Sequence, residues 1–221
     1  MQLLDVSDHV VKVFNSEEED FGFEIEANAK SFAILTDGIY KYKVKAIIRE
    51  LGTNARDSHV MAGKRNEPFN VHAPTYNNPT FYIEDFGVGL SEEQIHSVYK
   101  KFFKSDKDKS NKCVGAFGLG AKTPFCYNTR NYTVESWHDG THYIYNCFIN
   151  EVGKPRCVKL LSEPTDRCNG VKVSFAVDTS DLYKFEQEIK EIYKHFEVKP
   201  KILGRDCVIP ELSFLHKGSK W

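Results

Sequence analysis

Glu50, Asn54 and Asp57 fall within a single run, Arg49-Glu50-Leu51-Gly52-Thr53-Asn54-Ala55-Arg56-Asp57. If that run is helical, with about 100° of rotation per residue, the three oxygen-bearing side chains share one polar stripe lining a cleft edge. A carboxylate can take a proton from water, and an amide oxygen is a hard ligand suited to Mg²⁺. A second carboxylate can order the metal's remaining waters or a neighbouring group. Taken alone, the same stripe also suits a solvated helix face.

Two further segments carry chemistry of a different kind. In Glu84-Asp85-Phe86-Gly87-Val88-Gly89-Leu90-Ser91 an acid ends an apolar strand and two glycines bracket the turn that follows. Glycine lets the backbone approach a flat ligand, and Asp85 can accept a hydrogen bond from an exocyclic amine such as adenine's. The alternative is an ordinary glycine turn with a capping Asp. Gly115-Ala116-Phe117-Gly118-Leu119-Gly120-Ala121-Lys122-Thr123 forms a G-x-x-G-x-G pattern running into a helix. Free N–H groups at a helix start are a natural phosphate seat. The run is neither a Walker loop, lacking G-K-[ST] at the required spacing, nor a dinucleotide fingerprint.

The elements that must position these residues follow from periodicity. Val44, Ile47, Ile48, Leu51 and Ala55 recur at helical spacing and predict a helix over 42–62, with Gly63 as its stop. Strands are expected at 69–75 and 80–85, separated by the turn-rich 76–79. Ser91, with Gln94 three residues on, predicts a capping box opening a short helix that carries Ile95. A polar loop, 104–112, leads to the glycine run, which opens another helical segment. Strands at 132–137 and 141–148 flank Asp139-Gly140, a hairpin signal. Further strands are expected at 156–160 and 171–177, then a helix over 182–195, and a strand with an irregular tail over 202–221. At the other end, 10–14 and 21–26 read as short strands of an arm or hairpin. Absent any internal repeat, the organisation expected is an amino-terminal arm at 1–28, one central domain at 29–200 and a carboxy-terminal strand and tail at 201–221.

Composition narrows the setting. A formal charge of −1 provides no global field toward nucleic acid or an anionic membrane. Cys113, Cys126, Cys147, Cys157, Cys168 and Cys207 form no C-x-x-C pair, and no signal leader follows Met1, so a reduced cytoplasm is expected. Apolar stretches of a few residues fall far short of the roughly 20 needed to span a bilayer. His138 and His142 sit four apart on a predicted hairpin without a third ligand at zinc spacing. Phe102, Phe103, Phe117, Phe125 and Tyr127 read as core and lid packing, since a base-stacking surface would carry clustered Lys and Arg beside it.

The order of these segments resembles the N, G1, lid and G2 boxes of the GHKL superfamily, which includes gyrase, MutL, the large heat-shock chaperone and histidine kinases. The resemblance implies an α/β (α+β) two-layer sandwich, a mixed and mostly antiparallel sheet with helices on one face, binding ATP with Mg²⁺. It implies that Glu50 is the general base for water, that Asn54 binds the metal and that Asp57 supports the site. Asp85 would take the adenine amine in a pocket shaped by Gly87 and Gly89. Gly118, Leu119 and Gly120 would offer N–H groups to the phosphates, in a box that also includes Gly115, Phe117 and Lys122. The loop 104–112 would be a lid, with Ser105, Lys107 and Lys109 as candidates for the γ-phosphate and a solvated loop as the other reading. In-line attack by water would follow, catalysed by positioning and charge stabilisation.

Within that superfamily, residues 29–177 are most similar to the rIIA family of large tailed bacteriophages. The shared texture is an "IRELxTNxxDxH" helix, an "xxDFGxGxS" strand end, "GxFGLGxKxPF", and a hairpin seen here as Val134-Glu135-Ser136-Trp137-His138-Asp139-Gly140. This implies a role in lysis inhibition or resistance to prophage exclusion in the host cytoplasm. A phage or host partner of the rIIB kind would mediate any peripheral membrane association. Two departures stand out. Asn169-Gly170-Val171 puts Val where many relatives place an adenine-holding Thr. Related hydrolases also recruit a Lys or Arg from a downstream transducer domain, which 221 residues do not complete. The expectation is an amino-terminal piece of a longer protein, or a chain that binds ATP better than it cleaves it. Two functions follow: a slow ATPase whose nucleotide state gates homodimerisation through the arm, or a nucleotide-dependent binding module with little hydrolysis. A histidine-kinase core fits less well, because no phosphoacceptor helix precedes the domain and Glu50 is present as a base.

Overall fold

The computed structural model describes residues 29–34, 38, 40–100, 120–128 and 130–212. The expected strands at 10–14 and 21–26, the loop at 104–112, the glycine run at 115–119 and the tail at 213–221 lie outside them. The described elements are α1 (Ala29–Ala33), α2 (Lys43–Met61), β1 (Asn70–His72), β2 (Thr80–Glu84), α3 (Glu92–Lys100), a 3₁₀ segment (Gly120–Cys126), β3 (Asn131–His138), β4 (Thr141–Ile149), β5 (Pro155–Pro164), β6 (Gly170–Ala176), α4 (Leu182–Tyr193) and β7 (Lys201–Leu203).

Among the described residues seven strands form one sheet, in the order β5-β4-β3-β6-β2-β1-β7. Every neighbouring pair is antiparallel except β1 and β7, which run parallel. The sheet is thus mixed and mostly antiparallel. Alternation along the strands sends Val71, Phe81, Ile83, Val134, Val173 and Phe175 to the face that meets the helices, and all are buried. Against them α2 sets Val44, Ile47, Ile48, Leu51 and Ala55, and α4 sets Leu182, Phe185, Ile189 and Tyr193. Glu135, Lys172, Glu84 and Asn70 face the other way and join across four strands. Lys172 binds Glu135 at 2.9 Å, Arg167 binds Glu84 at 2.5 Å, and Asn70 donates to Glu84 at 3.0 Å. On that same face Trp137 lies between the Arg167 guanidinium, 3.7 Å from its ring centroid, and the parallel His142 ring at 4.7 Å.

Local signals account for most boundaries. Helix α2 stops where Gly63 takes φ +74°, and Ala62 N–H returns to Ser58 O at 3.0 Å. Ser91 and Gln94 close a reciprocal box at the start of α3: Ser91 N–H donates to Gln94 Oε1 at 2.9 Å, and Gln94 N–H to Ser91 Oγ at 3.2 Å. Asp139 and Gly140 both have positive φ, 47° and 78°, which matches the twist of the β3–β4 hairpin.

The structure departs from periodicity in three places. Strand β1 is three residues long, because Pro74 has no N–H to continue the ladder with β2 and Thr75 N–H closes the turn on Asn78 O at 2.9 Å. Strand β5 runs to Pro164, well past 160, and a register shift at Ile144/Tyr145 breaks the period-2 pattern that sequence reading needs. After the glycine run the described segment from Gly120 to Cys126 is 3₁₀ and contains Pro124, which has no N–H for an α-helical bond.

Candidate functional site

Helix α2 carries both ends of the site. Its Gly52 lies against α4 so closely that a Cβ there would stand 2.7 Å from the Tyr193 ring, and Tyr193 O–H donates to Ile48 O at 3.1 Å. That contact fixes the helix against the core and turns Glu50 and Asn54 toward the 3₁₀ segment. Gly120 meets them there. A Cβ built on Gly120 would lie 3.0 Å from Glu50 Oε2 and 3.5 Å from Asn54 Nδ2. A side chain at this position would crowd the Glu50 carboxylate.

Glu50 is not alone in its charge. Arg49 reaches its Oε1 through Nη2 at 2.8 Å and Nε at 3.3 Å, while Oε2 is the oxygen turned to Gly120. Asp57, the third member of the stripe, has no exposed surface, and Arg56 lies 3.6 Å from its Oδ1. Its place is inside the fold rather than on an open cleft edge, one turn further along the helix. Lys122 is also enclosed, at 4 % exposure, and burial lowers its ammonium pKa to about 8.

The carboxyl-terminal half of α2 holds the other end, the loop after β2. Ser58 Oγ donates to Asp85 Oδ1 at 2.9 Å and accepts from Val88 N–H at 3.2 Å. Gly87 N–H donates to the same Oδ1 at 2.9 Å, and a side chain at Gly87 would overlap Ser58. His59 Nε2 accepts from Phe86 N–H at 2.9 Å, so its Nδ1 carries the proton and donates to Glu67 O at 3.0 Å. Burial holds this imidazole below its usual pKa, consistent with the neutral form that the two bonds require. Lys64 Nζ donates to Phe86 O at 2.6 Å. Gly89, at φ +70°, packs on the Trp137 carbonyl, and Ser136 Oγ both accepts from Leu90 N–H and donates to Leu90 O, each at 2.8 Å.

Asp85 is the electrostatic centre of that loop. It is 6 % exposed, and burial raises its pKa from 3.8 to about 6, against the lowering pull of Gly87, Ser58 and Val171. The backbone of Gly170 packs on that of Asp85, and Asp85 N–H donates to Val171 O at 2.8 Å. The segment of the Thr-to-Val departure is therefore adjacent to Asp85.

The structure thus gathers Glu50, Asn54 and Gly120 at one place, and Asp85, Gly87 and Gly89 at another, along one helix. Ser105, Lys107, Gly115, Phe117, Gly118 and Leu119 lie outside the described residues. Residue-by-residue reading assigned no role to Ser58, His59, Lys64 or Ser136. Ser58 had a signal, since it continues the i, i+4 series from Glu50 and Asn54. Lys64 had none, because it lies past the helix end.

Comparison with known proteins agrees with this fold. Residues 42–175, more than half of the chain, match the family described as Histidine kinase-, DNA gyrase B-, and HSP90-like ATPase. A stretch of 45 residues is 36% identical to the sensor histidine kinase YclK of Bacillus subtilis (strain 168), covering 20% of this chain and 10% of that kinase. The match therefore spans far less than the kinase's whole length. Among the described residues no helix is long and apolar enough to cross a membrane. By its fold and by the extent of the match, the chain belongs to the histidine kinase-, DNA gyrase B- and HSP90-like ATPases and contains their ATP-binding domain.

Proposed function

We propose that this chain holds ATP along α2, with adenine at Asp85 and the phosphates above Gly120, and that it hydrolyses the nucleotide slowly. The observation that carries the reading is the close approach of Gly120 to the Glu50 carboxylate and the Asn54 amide. Ser58 is eight residues from Glu50, so the adenine end and the phosphate end are separated by about 12 Å along the axis of one rigid helix. At one end Asp85 Oδ1 is committed to Ser58 and Gly87, and Oδ2 is the oxygen offered to an exocyclic amine. At the other, Glu50 Oε2 takes a proton from the attacking water. An amide oxygen is a hard ligand of the type Mg²⁺ prefers, so Asn54 would hold the ion through its Oδ1. Bound there, Mg²⁺ would neutralise charge on the phosphates.

Asp57 and Lys122 support the site from inside the fold. Ser105, Lys107 and the run from Gly115 to Leu119 complete the reading as a lid over ATP and as phosphate-facing backbone. Residues 29–200 are taken as the ATP-binding domain, with 1–28 as an arm and 201–221 as a strand and tail. The finer role is that of an rIIA-like phage protein in the host cytoplasm. Its nucleotide state would gate homodimerisation or binding of an rIIB-like phage or host partner, in lysis inhibition or resistance to exclusion.

A second reading is favoured by one observation. Arg49 occupies Glu50 Oε1 at 2.8 Å, as suits a nucleotide-dependent binding module that cleaves little. Phosphate release separates the two readings. Glu50→Ala should keep ATP binding and lose hydrolysis, measured as inorganic phosphate with and without downstream sequence. Equal release by variant and parent removes Glu50 as the base.

A further inference from the structure

Cys147 on β4 and Cys157 on β5 are directly opposed partners in the edge pair of the sheet. Opposed antiparallel residues have Cα atoms about 4.5 or about 5.5 Å apart, and both spacings lie within the range of roughly 4.4–6.8 Å that a disulfide requires. Both cysteines are free thiols, and their side chains interact across the strand pair. The two are unequal. Cys147 is 1 % exposed, whereas Cys157 is exposed on the sheet edge. The interaction between the two thiols holds Cys157 below its usual pKa and Cys147 well above. Thiolate character and access therefore coincide on Cys157, the arrangement of an attacking thiol beside a buried resolving one.

We propose that Cys147 and Cys157 form a reversible cross-strand disulfide with a small disulfide of the glutathione class as oxidant, Cys157 reacting first and Cys147 resolving. The Cys157 thiolate attacks one sulfur of the oxidant, breaking its S–S bond and releasing one thiolate. Cys147 then gives up its proton and attacks Cys157 Sγ, displacing the second small thiol. Two protein thiols are oxidised by two electrons, and one small disulfide is reduced to two thiols.

The consequence reaches α3. Tyr145 on β4 and Lys159 on β5 both grip Glu92 Oε1 in the first turn of that helix, at 3.2 and 2.6 Å. Joining β4 to β5 at 147 and 157 staples the edge to which α3 is tied. The bond forms with or without nucleotide, so it stands apart from the reading of the ATP site.

The test incubates the full 221-residue chain with oxidised glutathione, quenches free thiols by alkylation, and maps peptides by mass spectrometry. The expected product carries a peptide linked through Cys147 and Cys157, lighter by two hydrogens, with no retained glutathione, and reverts on adding dithiothreitol. Cys147→Ser should stop at a glutathione adduct on Cys157, and Cys157→Ser should leave Cys147 unmodified. A melting curve for each variant verifies that it is folded, and the exposed Cys157→Ser keeps the test decisive if Cys147→Ser is not. A lasting adduct on Cys157 in the parent, a bridge to any other cysteine, or two unmodified thiols would overturn the proposal.

Discussion

Replacing Asp85 by Asn separates what the buried carboxylate does for a ligand from what it does to the fold. The folded protein raises the pKa of this group from 3.8 to about 6, with burial as the largest cause. The folded state therefore holds the Asp85 proton more tightly than the unfolded chain does. Its contribution to stability is fully present below pH 3.8 and is lost as the pH rises through about 6. A shift of about two units at about 1.4 kcal/mol each means that ionised Asp85 costs the fold up to about 3 kcal/mol at pH 8. Asn keeps an oxygen for Ser58 and Gly87 and carries no charge, so Asp85→Asn should be more stable than the parent at pH 8, and the gap should close toward pH 4. Urea denaturation across that range, read as the difference between variant and parent, cancels the other titrating groups. The same variant places an amide N–H₂ or a weaker acceptor before the adenine amine and should abolish ATP binding by calorimetry. A variant less stable than the parent at pH 8, or a gap that does not change with pH, refutes the electrostatic reasoning. Unchanged ATP affinity removes Asp85 from the pocket.

Other perturbations test the supporting contacts. Ser58→Ala removes a donor to Asp85 and leaves Val88 N–H without its acceptor, a loss of about 1–3 kcal/mol. ATP affinity should fall by about tenfold or more with part of it restored in Ser58→Thr, and calorimetry showing no change contradicts the linkage. Gly52→Ala should destabilise the fold by about 1–3 kcal/mol, because its Cβ meets the Tyr193 ring at 2.7 Å. Helix propensity alone points the other way, toward a gain of about 1 kcal/mol, so a more stable variant in urea denaturation would show that α2 and α4 are not packed as described.

Sequence patterns revealed the frame of the fold because local rules governed it. The helix over 42–62, the Ser91–Gln94 box and the Asp139-Gly140 turn each rest on residues within a few positions of one another, and each agrees with α2, α3 and the β3–β4 hairpin. Strand pairing depended on distant partners. The parallel pairing of β7 beside β1 and the register shift within β4–β5 have no local signature. The site divides in the same way. Residue types marked Glu50, Asn54 and Asp85, while the packing that determines their surroundings stayed hidden. Asp57 falls on the polar stripe by spacing yet is enclosed, because the fold closes over the far end of that stripe. The opposition of Cys147 and Cys157 appears only once β4 and β5 are in register.

The most direct test of the central claim is calorimetric titration of the 221-residue chain with ATP and, separately, GTP, each with magnesium at pH 7.5. A carboxylate that accepts the amine of adenine opposes the carbonyl oxygen that guanine carries at that position. One ATP should bind per chain while GTP shows no saturable heat. Equal binding of both nucleotides, or none of ATP at millimolar concentration, contradicts the account.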